Sequence, residues 1–189
     1  MFENVFAPPP VILTTFECTQ RLGVVLDTNK RVQYLLHHIR APLSPNDRKP
    51  PPRHFLKNGI TCRPCRQASD HSTSSGYYDA GYQRLVICSD NLKGEEDLED
   101  TLIHELVHVY DQRYLRRMKD DTCARMVCTE IRASLLGQCW RYSENKDRER
   151  CVRRDALASA LQHCSFDERR TKKTMARLWS TCYRDHTPF

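Results

Sequence analysis

The sequence predicts an α+β domain, mainly helical, with a small β-hairpin or sheet and a dense set of disulfides. Three observations predict it. Apolar residues recur at helical spacing from Glu95 onward. Two short strand-like runs bounded by turn residues precede them. Ten cysteines in 189 residues are more than a reducing compartment would leave as free thiols, so most are expected to pair. The length suits one domain, expected over residues 18–189, with an N-terminal tail at 1–17 and a Pro-rich insertion at 42–53.

Composition narrows the class. Hydrophobic residues at 39% and charged residues at 29% suit a globular chain rather than a disordered one, and no apolar run approaches the ~20 residues of a spanning helix. The opening Met1 to Pro10 has neither a basic, apolar signal pattern nor an Arg-rich amphipathic one, so no cleavable address is expected. A formal net charge of +6 comes with Arg-rich stretches at Arg113 to Lys119, Arg148 to Arg154 and Arg169 to Lys173. Acids are interleaved with these bases, so they read as solvated helix faces, and no nucleic-acid partner is expected.

Along the chain, Val32, Leu35, Leu36 and Ile39 predict a helix from about Thr28 to Ile39. Pro42, Pro45 and Pro50 to Pro52 then break regular structure. Cys62-x-x-Cys65 has no second such pair to complete a four-thiolate metal site, so structural disulfides are the expectation. After the polar stretch from Ser69 to Ser75, Gly76 to Asp79 and Tyr82 to Cys88 read as a hairpin around Asp79-Ala80-Gly81.

Leu98, Leu102, Leu106 and Val109 mark the strongest helix. Acids crowd its start and Arg113, Arg116 and Arg117 its end, the polarity that the helix dipole favours. Further helices are expected near Thr122 to Trp140, Asp147 to His163 and Asp167 to Arg184. Cys128 and Cys139 would share a face of the first of these, each with a partner elsewhere.

The chemistry lies in His104-Glu105-Leu106-Val107-His108. On a helix the two histidines project from one face a turn apart, so that two imidazole nitrogens can share one zinc ion. Glu105, between them, can take a proton from an attacking water and pass it to a leaving amine. Placed mid-helix after a strand that could align an extended peptide, the motif predicts a zincin-like metalloprotease domain. A catalytic zinc needs a third protein ligand. Glu130 is the first candidate, on a stripe with Cys123, Val127 and Ser134 that faces the core, where a carboxylate needs a partner. A salt bridge to Arg132 would serve instead. Asp111 is the rival ligand, on the face of His104 but a turn past His108, a position better suited to orienting a histidine. Tyr77, Tyr78, Tyr82, Tyr110 and Tyr114 read mostly as packing residues, and His37 and His38 as surface residues.

At these residues the sequence resembles a known family: the mitochondrial inner-membrane metalloproteases that also serve as ATP synthase assembly factors, elsewhere named as Ku-binding proteins. The resemblance extends through Tyr110-Asp111, Cys128 to Ala133, Leu136 to Cys139 and Cys182 to Phe189, and upstream through Gly76 to Asp79 and Leu85 to Cys88. It implies a cysteine-rich zinc endopeptidase in the intermembrane space, peripheral to the inner membrane. It also implies removal of the N-terminal extension of a mitochondrially encoded ATP synthase membrane subunit, as substrate or client, and help in assembling that sector. The family positions matched are His104, Glu105 and His108. Where many relatives carry His-Cys-Arg after Asp111, this chain has Gln112-Arg113-Tyr114, which removes a family cysteine and leaves the disulfide map open. The alternative is a non-catalytic assembly chaperone or structural subunit that retains the metal site.

Overall fold

In the computed structural model, the described residues are 13–41, 56–66, 73–114 and 122–189. The Pro-rich insertion, most of the polar stretch from Ser69 and most of the basic run from Arg113 lie outside them. In chain order the elements are α1 (Thr15–Thr28), α2 (Lys30–Arg40), β1 (Ile60–Arg63), β2 (Gly76–Asp79), β3 (Arg84–Cys88), α3 (Glu95–Tyr114), α4 (Thr122–Leu136), α5 (Asn145–His163) and α6 (Glu168–Arg184), with 3-10 turns at Ser89–Asn91 and Gln138–Arg141.

The helix predicted from about Thr28 to Ile39 is α2, and a further helix that the spacing does not predict, α1, precedes it. Helix α1 starts on a capping box, in which Thr14 accepts from the Glu17 N–H while Glu17 accepts from the Thr14 N–H. Leu13 is buried, so ordered structure begins ahead of residue 18. Asn29 then ends α1 and caps α2, its side chain accepting from the N–H groups of Arg31 and Val32.

The hairpin is present, joined by a strand that lacks a local signal. Strand order is β1-β3-β2, with β1 parallel and β2 antiparallel to β3. Strand β2 is therefore an outer strand. Cys18–Cys62 ties β1 to α1, and Cys65–Cys88 ties the chain after β1 to the end of β3.

Two large apolar clusters, beside a small one of Cys65, Val86 and Cys88, build the interior of the described residues. The first gathers α1, α2, the sheet and the Leu98, Leu102, Leu106 and Val109 stripe of α3. Burying each such side chain stabilises by roughly 1.5–3 kcal/mol, which holds the acid-rich start of α3 in a helix. The second gathers α4, α5 and α6. Helix α4 belongs to both: Ala133 and Leu136 join the first, Val127, Ile131 and Leu135 the second. Small residues on the buried face of α5, namely Cys151, Val152, Ala156 and Ala160, let it lie close to α4. Cys123–Cys164, Cys128–Cys182 and Cys139–Cys151 fasten this half together. No free cysteine remains.

Helix α4 stops at Leu136, earlier than the sequence predicts, because Gly137 turns the chain. A Cβ at Gly137 would lie 2.8 Å from the Ala133 carbonyl oxygen and 3.1 Å from His104 Cβ. Cys139 consequently sits in the following 3-10 turn, off the face of Cys128. Among the described residues no helix is long and apolar enough to cross a membrane.

Candidate active site

Helix α3 turns one face to the first core and the other to α4. On that second face the Nε2 atoms of His104 and His108 lie 3.0 Å apart. The burial of nearly every α4 residue places Glu130 against them, with Oε2 3.6 Å from His104 Nε2 and Oε1 3.5 Å from His108 Nε2. The potential donor atoms all fall within 4.8 Å of one another. Glu130 is 4% exposed, and its Oε2 has no hydrogen-bond partner among the described residues. A buried carboxylate oxygen without a donor is costly unless positive charge meets it.

The sequence reading offered Arg132 as an alternative partner for Glu130, but Arg132 lies roughly 200° around the helix and bonds Asp111 at 3.0 Å. Asp111 is occupied on its other side by the Thr129 hydroxyl, which donates to it at 2.8 Å. Its carboxylate thus faces Arg132 and Thr129.

Both imidazoles are held from behind. His108 Nδ1 donates to Thr129 Oγ1 at 3.0 Å, a direction fixed because the Thr129 proton is already given to Asp111. His104 Nδ1 donates to Gln138 Oε1 at 3.1 Å, and the Gln138 amide donates to Asp155 at 3.3 Å. With each Nδ1 donating outward, both Nε2 atoms point into the site, and His104 gives up its Nε2 proton when it ligates a cation there. Thr129 and Gln138 carry no sequence signal of their own, because their roles depend on how α4 and the turn after it pack on α3.

Burial and neighbouring charges set the two imidazoles apart. Burial lowers the basicity of His104, but Glu130 outweighs it and raises the imidazole to about 9. His108 is pushed down to about 4 by burial, with the neighbouring His104 charge adding to it. Burial pushes the Glu130 carboxyl up, yet the charges of His108 and His104 hold it below the usual value. Burial also raises Glu105 to about 7, against a main-chain hydrogen bond from Tyr78 and the attraction of His104. A carboxyl near 7 can both accept and return a proton at neutral pH. Two nitrogens and a buried, unpartnered carboxylate oxygen fit a divalent cation.

The site opens into a cleft of about 1180 Å³. One wall is β2, contributing Gly76, Tyr77 and Tyr78, and the other is the end of α5 with His163 and Phe166. Tyr77 and Tyr78 thus line the cleft as well as pack. Tyr82 is exposed at 65% and Tyr110 packs against the first core. His37 is exposed and His38 half-buried against Tyr34, both away from the cleft.

Paired histidines one turn apart, a glutamate from a crossing helix and a buried carboxyl beside them are the arrangement of the His-Glu-x-x-His metallopeptidases. Residues 16–189 match the family described as the Peptidase M76 family. The chain belongs to that family, which implies a metal, and His104, His108 and Glu130 form a group that could hold one. It is 33% identical over 147 residues to "Mitochondrial inner membrane protease ATP23" of Coccidioides immitis, covering 70% of this chain and 58% of the relative. Proteins of the same printed name from Lodderomyces elongisporus and Candida albicans are 32% and 30% identical, covering 91% and 92% of this chain and 70% and 72% of theirs. The chain thus spans 58% of the length of the first curated relatives it matches. No solved structure matches.

Proposed function

We propose that this chain is a zinc-dependent endopeptidase in which His104, His108 and Glu130 hold the metal and Glu105 is the general base. The observation that carries the reading is the convergence of both Nε2 atoms on a buried Glu130 whose Oε2 has no hydrogen bond among the described residues and meets His104 Nε2 at 3.6 Å. The relatives' printed names support a place at the mitochondrial inner membrane. The five disulfides support an oxidising compartment, which we read as the intermembrane space, with peripheral attachment to the membrane. The substrate in this reading is the N-terminal extension of a mitochondrially encoded ATP synthase membrane subunit, whose assembly the protein assists.

An extended peptide lies along the outer edge of β2, where Gly76, Tyr77 and Tyr78 line the cleft. Bound zinc would supply Lewis acidity, polarising the scissile carbonyl and making a water acidic near neutral pH. Glu105 accepts the proton of the attacking water and returns it to the departing amine nitrogen. Gln138 and Thr129 keep the two imidazoles in register throughout.

Metal content of purified variants, with cleavage of the client's N-terminal extension, tests the assignment. Glu130→Gln is expected to lose zinc substantially. Asp111→Asn is expected to keep zinc when the metal is saturating, with activity lowered ~10- to 100-fold through a mis-set histidine. Full zinc in the Glu130 variant with zinc lost from the Asp111 variant would reverse the ligand assignment.

A further inference from the structure

Arg132 is 1% exposed and is among the largest fully buried side chains of the protein. A guanidinium this deep is stable only if its N–H groups are all met, because a buried cation stripped of partners costs several kcal/mol. Two places in the chain supply acceptors to each of its three nitrogens. From α3, Asp111 takes the Nε proton, its oxygens lying 3.1 and 3.0 Å away. From the segment that follows α6, Asp185 accepts from Nη1 through its carbonyl at 2.6 Å and its carboxylate at 2.7 Å, and the Thr187 carbonyl accepts from Nη2 at 2.5 Å. That segment is itself fixed. The Thr187 N–H and hydroxyl both donate to Asp185 Oδ1, at 3.0 and 2.7 Å, and Phe189 stacks on Tyr34 with Arg31 over its ring.

Each bond in the chain depends on the one behind it. The Asp185–Thr187 segment holds Arg132; Arg132 holds Asp111; Asp111 accepts the Thr129 proton, which leaves Thr129 Oγ1 free to accept from His108 Nδ1. We propose that the segment Asp185–Thr187 is a working part of the metal centre: acting through Arg132, Asp111 and Thr129, it sets the orientation of the His108 imidazole and thereby the affinity of the site for its cation. Asp185, Thr187, Arg132, Asp111 and Thr129 are positioning residues: Thr129 meets His108 only at Nδ1, away from the Nε2 that faces Glu130, and the others act through Thr129. The inference rests on the reading of His108 as a metal ligand.

The directions of the bonds give the chain its effect. Arg132 keeps Asp111 placed as an acceptor, so Thr129 must donate toward Asp111 and accept from His108. His108 is then held as the tautomer whose Nε2 lone pair faces Glu130. Without the segment, the Nη1 and Nη2 protons of Arg132 lose these acceptors, Arg132 must shift to find others, and Asp111 and Thr129 lose their registration.

Zinc affinity, measured on the full chain by competition with a chromophoric chelator, tests this with a readout independent of peptide cleavage. His108→Ala provides the control: if the wild type binds no zinc, or the variant binds it as tightly, the metal-centre reading fails and takes this inference with it. Thr129→Val keeps the shape and removes the hydroxyl, and is expected to weaken zinc binding ~10- to 100-fold, while Thr129→Ser restores it. Asp185→Ala, distant in sequence and outside the cleft, is expected to weaken binding by about 10-fold. The double variant is expected to bind no more weakly than Thr129→Val alone, because both act on one chain of contacts. Thermal melts of the metal-free proteins guard against unfolding as the cause. Unchanged affinity in a folded Thr129→Val or Asp185→Ala protein would overturn the proposal, and so would full additivity of the two losses.

Discussion

Gly76 of β2 stands so close to α3 that a Cβ there would lie 3.2 Å from Glu105 Cγ, and 2.7 Å from Thr101 Cγ2. The outer strand and the helix bearing the proposed base touch at a point where only hydrogen fits. Gly76→Ala must therefore displace the Thr101 side chain or push β2 off α3, with the Val86 carbonyl oxygen crowding the same Cβ at 3.1 Å. The expected cost is about 1–3 kcal/mol of stability. Urea titration is the check: a lower midpoint at unchanged slope is expected, and a wild-type midpoint would contradict the contact.

All ten cysteines pair in five bridges. Thiol titration of the denatured, non-reduced protein should find essentially none free. Full reduction should lower stability sharply, since losing a native bridge in a small domain typically costs ~2–5 kcal/mol. A majority of free thiols in the purified native protein would contradict this pairing and the oxidising compartment with it.

Burial pushes the Asp185 carboxyl up, but the bonds from Thr187 and the charge of Arg132 outweigh it and hold the group below its usual 3.8. A carboxyl lowered in the folded state binds fewer protons there than in the unfolded chain, so its contribution is present above 3.8 and lost as pH falls below that value. Melting temperature followed from about pH 6 to about pH 2 should fall less steeply in Asp185→Asn than in the wild type. Parallel curves would show that Asp185 does not titrate against Arg132.

What was legible in the sequence was what depends on local spacing. The i, i+4 histidines, the apolar stripe of α3 and the burial of Glu130 all follow from one helix period, and each helix of the C-terminal half is present near its expected bounds. Helix α1 went unread because its buried stripe is only Cys18, Leu22 and Val25, although Thr14 and Glu17 form a capping box. Strand β1 carries no alternation, since its place beside β3 is set by the distant Cys18–Cys62 and Cys65–Cys88 bridges. The supports of the histidines, Thr129 and Gln138, belong to the crossing of α3 with α4 and the turn at Gly137. No pattern within a single segment encodes that crossing.

In the proposed reaction, Glu105 moves the proton during peptide cleavage at a metal held by His104, His108 and Glu130. Burial that raises its carboxyl to about 7 suits it to that exchange. The most direct measurement is the cleavage rate of zinc-loaded Glu105→Gln beside the wild type, with zinc content determined on the same samples. About one zinc per chain is expected in both, with a rate lowered roughly 10²- to 10⁴-fold in the variant. A zinc-loaded Glu105→Gln protein that cleaves at near the wild-type rate would contradict it.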